Sequence, residues 1–463
     1  MKTFFRRLFW FVVILAVLFF GAWGFENWRG GSEWQQAKER AARMGVSLDL
    51  ADYATEEIPE GECLMEDPVF LAEWNGEIEP ELGRISSMKL EGVKTRGIKS
   101  GSIPKGEAMD YRQYFEDEMS EAEAVRKLDK IYQPVAARLK NLGKIILEKP
   151  NQDIRAPSDD FLESGEILRL LKTVNALREY SRLSLRKGNS QEAVWAYEVI
   201  VRLGQNSSEP ALINLLVSNA AEGTVDKIIW DGIWLHEWNK KDLDRIVAHI
   251  PSDPDYNSLG KALRYEAAIA SPFVDQVEEQ QRTILENIDV ADPPSFEDRV
   301  IHWTAFQGPS GWKNWRKATI LNASLDLLEQ RSDWEILGKE SATSLQKLST
   351  FEESRFHPLN WIRTMQIGEA NWLEKLLKRS TRSRLTRIAI ELERYRLQKR
   401  RYPKSLDEME LTFSIEDLTD PKERDLKYEK TDDGYFQLWS EFEREGEKRP
   451  DLEWKFPETG KQK

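Results

Sequence analysis

The side chains able to do chemistry are few, and their spacing builds no familiar catalyst. The four histidines, His236, His249, His302 and His357, form no His-Glu-x-x-His pair and have no partner at i+3 or i+4, so a helical zinc site is not indicated. Cys63 is the one cysteine, which excludes an intrachain disulfide framework and any multi-cysteine metal centre. Its acidic neighbours disfavour a thiolate nucleophile; in an exported chain it is a candidate for an intermolecular disulfide. Gly308-Pro309-Ser310-Gly311 is not the Gly-x-Ser-x-Gly elbow, and the Ser-x-x-Lys matches at Ser184, Ser258 and Ser344 lack their companion motifs. No Walker loop or Gly-x-Gly-x-x-Gly cradle for phosphate occurs. With 80 acidic side chains in 463 residues, two neighbouring carboxylates carry no information about a glycosidase-like dyad. No catalytic, cofactor-binding or metal-ligating residue is assigned, and no cofactor is expected.

Two patterns stand above this background. Trp230, Trp234 and Trp238 recur at helical spacing; such rings can stack on sugars or peptides, or bury a large apolar area in a seam between helices. The second is the run from Lys375 to Lys404, with twelve Lys or Arg residues opposed only by Glu391 and Glu393. Most of it reads as a solvated helix face. Arg382, Arg384 and Arg387 are the candidate cationic ridge, suited to anionic envelope polymer, lipid headgroups or an acidic partner protein.

The elements that must position these residues begin with a membrane segment. Residues 8–25, LFWFVVILAVLFFGAWGF, contain no charge. As a helix they span about 27 Å, close to the ~30 Å hydrocarbon core. Lys2, Arg6 and Arg7 precede the run, so the positive-inside rule leaves residues 1–7 in the cytoplasm and exports the rest as a single-pass inner-membrane protein. Trp10, Trp23 and Trp28 suit interfacial anchoring. The alternative is a signal peptide cleaved near Gly24, giving a secreted chain. Ser32 and Gly45 bracket a separate juxtamembrane helix. An extended acidic arm then reaches residue 108, with strand-like patches at 84–100.

Helical periodicity dominates residues 109–375. The apolar positions Ile167, Leu171, Val174 and Leu177 precede Gly188-Asn189-Ser190, and Ala193, Ala196, Tyr197 and Ile200 follow it. Gly188, Ala193 and Tyr197 match the spacing of one tetratricopeptide-like hairpin, or equally a generic helical hairpin; no 34-residue repetition appears elsewhere. Residues 376–463 change character. Leu426–Lys430 and Tyr435–Trp439 flank an Asp433-Gly434 turn, which predicts a β-hairpin, and residues 451–456 offer a third strand. The expected fold is mainly α: a transmembrane helix, stacked antiparallel helical hairpins and a small C-terminal α+β module. The net charge of −13 argues against nucleic acid as a partner.

The C-terminal order, Ala389–Leu397, then Arg401-Tyr402-Pro403-Lys404-Ser405-Leu406, Asp420-Pro421, Leu426–Tyr428 and Asp433–Tyr435, resembles the C-terminal segment of type II secretion pseudopilins. It is also similar to that of an uncharacterised family of single-pass bacterial envelope proteins. The second likeness extends to Asn27–Trp34, Gly45–Leu50, Glu209–Ile213 and Trp230–Trp238. This chain departs from that family's pattern at Cys63-Leu64 and at Glu441–Pro450. Gly24-Phe25-Glu26 stands after the apolar run, so a prepilin-type cut would discard the anchor. The resemblance implies a long helix ended by Tyr402-Pro403, a short helix capped by Ser405, and a hairpin packed back onto the long helix. That family implies no activity. The leading expectation is a membrane-anchored, non-enzymatic scaffold or interaction protein of the envelope. An accessory of a secretion or pilus-like machine, which the C-terminal resemblance suggests, is the alternative, and an envelope hydrolase without a recognisable motif is the third reading.

Overall fold

The computed structural model describes residues 2–53, 64, 67–75, 111–115, 118–149, 165–204, 212–250, 256–286, 309–330, 360–409, 418–419, 425–440, 452–454 and 456. Cys63, the 84–100 patches and residues 331–359 lie outside them. The chain is mostly helical and divides into two compact units, each assembled from separated stretches of sequence. The first takes Met1–Thr55, Glu209–Leu212 and Tyr256–Glu374; the second takes Glu56–Ser208, Ile213–Asp255 and Lys375–Lys463. The expected helical domain 109–375 is therefore shared between units. Only the boundary near residue 375 coincides.

In the first unit, helix α1 (Lys2–Arg43) runs unbroken through both segments that the sequence reading kept apart. Its apolar window is long enough to cross a membrane, and none of that window is buried. Nothing stops it at Gly24, Gly30 or Gly31, because no proline follows and the polar residues beyond are good helix formers. It ends where Gly45 adopts a left-handed φ of 64°, as a C′ glycine does. Ser32 lies inside the helix and is no cap. Its second half packs with α8 (Tyr256–Glu286) and α9 (Ser310–Gln330). Their shared core is small: Ala37, Ala41, Val46, Ala267, Ala270, Ala318, Leu321 and Leu325.

The second unit contains α2 (Pro68–Asn75), α3 (Glu121–Glu148), α4 (Gly165–Arg186), α5 (Ser190–Gly204), α6 (Leu212–Trp234) and α7 (Lys240–Ala248). It also takes the part of α10 (Asn360–Lys399) from Lys375 onward. Helices α4 and α5 form the predicted hairpin. Gly188 turns it with φ 70°, Ala193 and Tyr197 are wholly buried, and the Ser181 hydroxyl donates to the Ala193 carbonyl at 3.1 Å. After α10 the chain passes Tyr402-Pro403 and a 3-10 turn at Leu406–Glu408. Ser405 makes no side-chain cap there, contrary to expectation. Glu408 instead accepts from Tyr395 and Arg401.

The C-terminal sheet has strands β1 (Lys427–Lys430), β2 (Phe436–Ser440) and β3 (Leu452–Trp454), antiparallel in that order. Tyr428 faces Leu438, and Leu438 faces Trp454. Gly434 at φ 90° makes the hairpin turn. Phe436, Leu438 and Ser440 are buried on alternate positions of β2, the period-2 pattern of a half-buried strand. This face joins the core that also holds Tyr402 and the buried side of α10.

Candidate functional site

The polar chemistry of the second unit gathers in one recess and two buried clusters. On α10, Arg379, Arg382, Ser383 and Thr386 fall at i, i+3, i+4 and i+7 and so share a face. On α6, Asn219, Gly223 and Asp226 do the same. Together with Tyr197 and Ile250 they line the recess. Arg382 Nε stands 3.4 Å from Asp226 Oδ2, and Thr386 Oγ1 donates to Asp226 Oδ1 at 2.9 Å. A Cβ at Gly223 would stand 3.1 Å from Arg382 Nη1, so a larger residue there would crowd the guanidinium. Burial pushes the Asp226 carboxyl up to about 6, with Arg382 and the Thr386 hydrogen bond holding it from rising further. The recess has a cavity volume of about 20 Å3, room for a water, and Asp226 can exchange a proton there.

The second cluster is centred on Arg182, 6% exposed, whose Nε donates to Asp231. Glu179 Oε1 lies 3.8 Å from its Nη1. Burial acts to lower the Arg182 pKa, but Asp231 and Glu179 outweigh it and hold the guanidinium charged. Arg186, one turn on, lies 4.7 Å over the Trp234 ring, a cation–π contact.

The third cluster surrounds Glu393, which has no exposed surface. Arg396 Nε and Nη2 donate to its two oxygens at 2.8 and 2.6 Å, and Tyr402 Oη donates at 2.6 Å. His236 Nδ1 is 3.9 Å away. Burial alone would raise this carboxyl, yet the hydrogen bonds from Arg396 and Tyr402, with the His236 ring close by, hold it below the usual range. His236 carries a left-handed φ of 56° and stacks on Tyr435 with ring centroids 5.1 Å apart. The Tyr435 hydroxyl donates to the Trp234 carbonyl at 2.9 Å. Helix α10, the turn after α6 and the sheet thus meet on one buried carboxylate.

These arrangements revise the candidate surfaces. The tryptophan stripe is not one helical face. Helix α6 ends at Trp234, the chain reverses at His236, and Trp238 folds back over Gly232 to donate its indole N–H to the Ile229 carbonyl at 3.1 Å. Trp234 and Trp238 are buried, and Trp230 stacks on Phe456 at 5.2 Å. Trp234 and Trp238 belong to the core, and the half-buried Trp230 packs against it. The cationic ridge is turned inward as well: Arg382, Arg384 and Arg387 are half-buried. Arg382 faces Asp226, and Arg384 Nη1 donates to the Thr419 carbonyl at 2.7 Å. Among the side chains of α10 that are described, the exposed cation is Lys399, with Arg400 just past the helix end.

Sequence reasoning missed Glu393 and Asp231 as buried anchors. The only local signal was the Glu393/Arg396 spacing of three. Among the described residues, no group of three or more His, Cys, Asp or Glu is placed to hold a metal ion. No protein-family model, curated protein or solved structure matches the chain.

Proposed function

We propose that the chain is a membrane-anchored, non-enzymatic scaffold or interaction protein of the bacterial cell envelope. One observation carries this reading. Helix α1 is continuous from an entirely exposed apolar stretch into the core of the first unit. An exposed apolar surface of that size suits a lipid environment, and in this reading the helix that enters the lipid is also a packing member of a folded body. Lys2, Arg6 and Arg7 orient the N-terminus toward the cytoplasm and the body toward the outer side of the inner membrane. A scaffold is preferred to a hydrolase because, among the described residues of the second unit, the buried carboxylates Asp231 and Glu393 are held by Arg182 and Arg396.

Alkaline extraction of membranes, with N-terminal sequencing of the mature protein, tests the anchor. Retention in the pellet with the first residues intact is expected; a soluble chain beginning near Phe25 would overturn it. Reporter fusions at the C-terminus test the orientation.

A second reading, an accessory of a secretion or pilus-like machine, is favoured by the path from α10 through Tyr402-Pro403 into an antiparallel sheet that shares a buried core with α10. Pull-down from solubilised membranes separates the two: co-purifying secretion components favour the second reading, and other envelope proteins the first.

A further inference from the structure

Helix α9 runs parallel to α1, and its first turn is level with the point where α1 leaves its apolar stretch. Gly311 N–H and Ser310 Oγ donate to Asn27 Oδ1 at 3.0 and 3.1 Å. Trp312 Nε1 donates to Glu26 at 2.9 Å, and Arg29 lies 4.7 Å over the Trp315 ring. The helices meet backbone to backbone at two glycines: Gly311 leaves no room for a Cβ on Gly30, and Glu26 and Asn27 leave none for a Cβ on Gly311. At the far end, Arg40 reaches Asn322 at 3.2 Å and Asp326 at 2.6 Å. The register is therefore fixed at both ends of α9.

The last residue of the uncharged run is Phe25. At about 1.5 Å per residue, Glu26 to Gly30 lie only about 2–8 Å beyond it. The polar layer on each side of a bilayer is of similar depth, about 5–8 Å. Trp28, 68% exposed, and the half-buried Trp312 occupy this level, and indole rings favour that layer because one part is apolar and the N–H needs a polar partner.

We infer that the first turn of α9, Pro309 to Trp312, together with Trp28 of α1, lies in the lipid headgroup layer, so that the first unit sits flush on the bilayer rather than on a stalk. This rests on the reading of α1 as a membrane span, and it adds a second element to the membrane contact. Because Asn27, Glu26 and the glycine pair lock α9 to α1, the tilt of the span fixes the tilt of the unit. The occupant of this rim is the phospholipid surface itself.

Single nitroxide labels test it. The full chain carrying Cys63→Ser is reconstituted in phosphatidylcholine/phosphatidylglycerol vesicles with a label at Leu15→Cys, Ser310→Cys or Asp326→Cys, and accessibility to oxygen and to a water-soluble nickel complex is read. Asn314→Cys, one turn along α9, is a second label should Ser310→Cys fold poorly. Helical circular dichroism matching the unlabelled chain qualifies each variant. The expected result is depth within the hydrocarbon at 15, a headgroup-level shift at 310, and aqueous values at 326. A label at 15 in the hydrocarbon with 310 as aqueous as 326 overturns the inference and leaves the span intact. Hydrocarbon depth at 310 overturns the headgroup placement. Aqueous values at 15 overturn the span itself, and this inference with it.

Discussion

The two units pack by different means. In the cluster that α1, α8 and α9 of the first share, five of the eight buried residues are alanines: Ala37, Ala41, Ala267, Ala270 and Ala318. Glycines there seat other backbone, as Gly30 and Gly311 do. In the second, the largest wholly buried side chains include Trp238, Tyr197, Tyr402 and Phe436, and glycines seat indoles: Gly143 under Trp195 and Gly232 under Trp238. Alanine burial removes little apolar area per residue, so the first unit relies on close approach and gains dispersion contacts along whole helix faces. The second relies on large rings and on charges buried at its centre, Arg182 and Glu393, whereas the buried pair of the first, Arg316 with Glu278 at 3.0 Å, joins α9 to α8. The first should therefore be broken by adding atoms, and the second by removing a partner.

The largest effect is expected at Asp231. Removing it takes from the buried, charged Arg182 the carboxylate its Nε donates to, with Glu179 farther off at 3.8 Å, and loss of one partner from a buried pair costs about 3–5 kcal/mol. Asp231→Ala should lower stability by that amount in denaturant melts of the detergent-solubilised protein. A loss below about 1 kcal/mol would show the pair to be as weak as a surface one.

Asp226 comes next, and its sign is opposite to that of a paired carboxylate. Its pKa is raised from 3.8 to about 6 by burial, so the native state holds this proton more tightly than the unfolded chain. Stability then falls as pH rises from about 4 to 6, by at most about 3 kcal/mol. Glu393, held low, works the other way and loses its contribution only in more acid solution. Asp226→Asn should flatten the slope between pH 4.5 and 7 and stabilise the protein at pH 7. Identical wild-type melts at those two pH values would remove Asp226 from this account.

How much of this was legible depended on whether the partners were near in sequence. The Asp433-Gly434 hairpin and the Gly188 turn were readable because turn chemistry and flanking periodicity are local. The continuity of α1 was not, because a sharp change from apolar to charged composition at Phe25 imitates a boundary that no helix breaker enforces. Trp238 misled for a related reason: its spacing fits a helix, while the reversal depends on His236 taking a φ that non-glycine residues rarely adopt. The recess was half legible. The spacing of Arg379, Arg382, Ser383 and Thr386 announces one face, but Asp226 is supplied by α6, 160 residues from Thr386. Composition made Arg382 and Arg384 look like part of a free ridge because it counts charges without placing Asp226 or the Thr419 carbonyl beside them.

The contrast between units is sharpened by Gly311→Ala and Gly30→Ala. Each places a methyl against opposing backbone, which cannot swing aside as a side-chain tip does. Overpacking of this kind typically costs about 1–3 kcal/mol. The loss should appear as faster protease cleavage within α8 and α9 while the second unit keeps its resistance. Equal susceptibility of both units would show that they unfold together and that the packing contrast has no energetic boundary.

The smallest effect is the most discriminating, because it uses the neighbouring residue of the same helix. A Cβ at Gly31 meets nothing within 4 Å, and its backbone is plain helix. Gly31→Ala therefore adds no clash and recovers the helix propensity that glycine forfeits, about 0.8–1 kcal/mol. Stability should rise, while Gly30→Ala one position earlier lowers it. Opposite signs from the same substitution at adjacent positions separate a packing requirement from a general need for flexibility where α1 emerges from its apolar stretch. If both variants were destabilised, the glycine pair would be serving a hinge, and the fixed coupling between the membrane span and the first unit would fail with it.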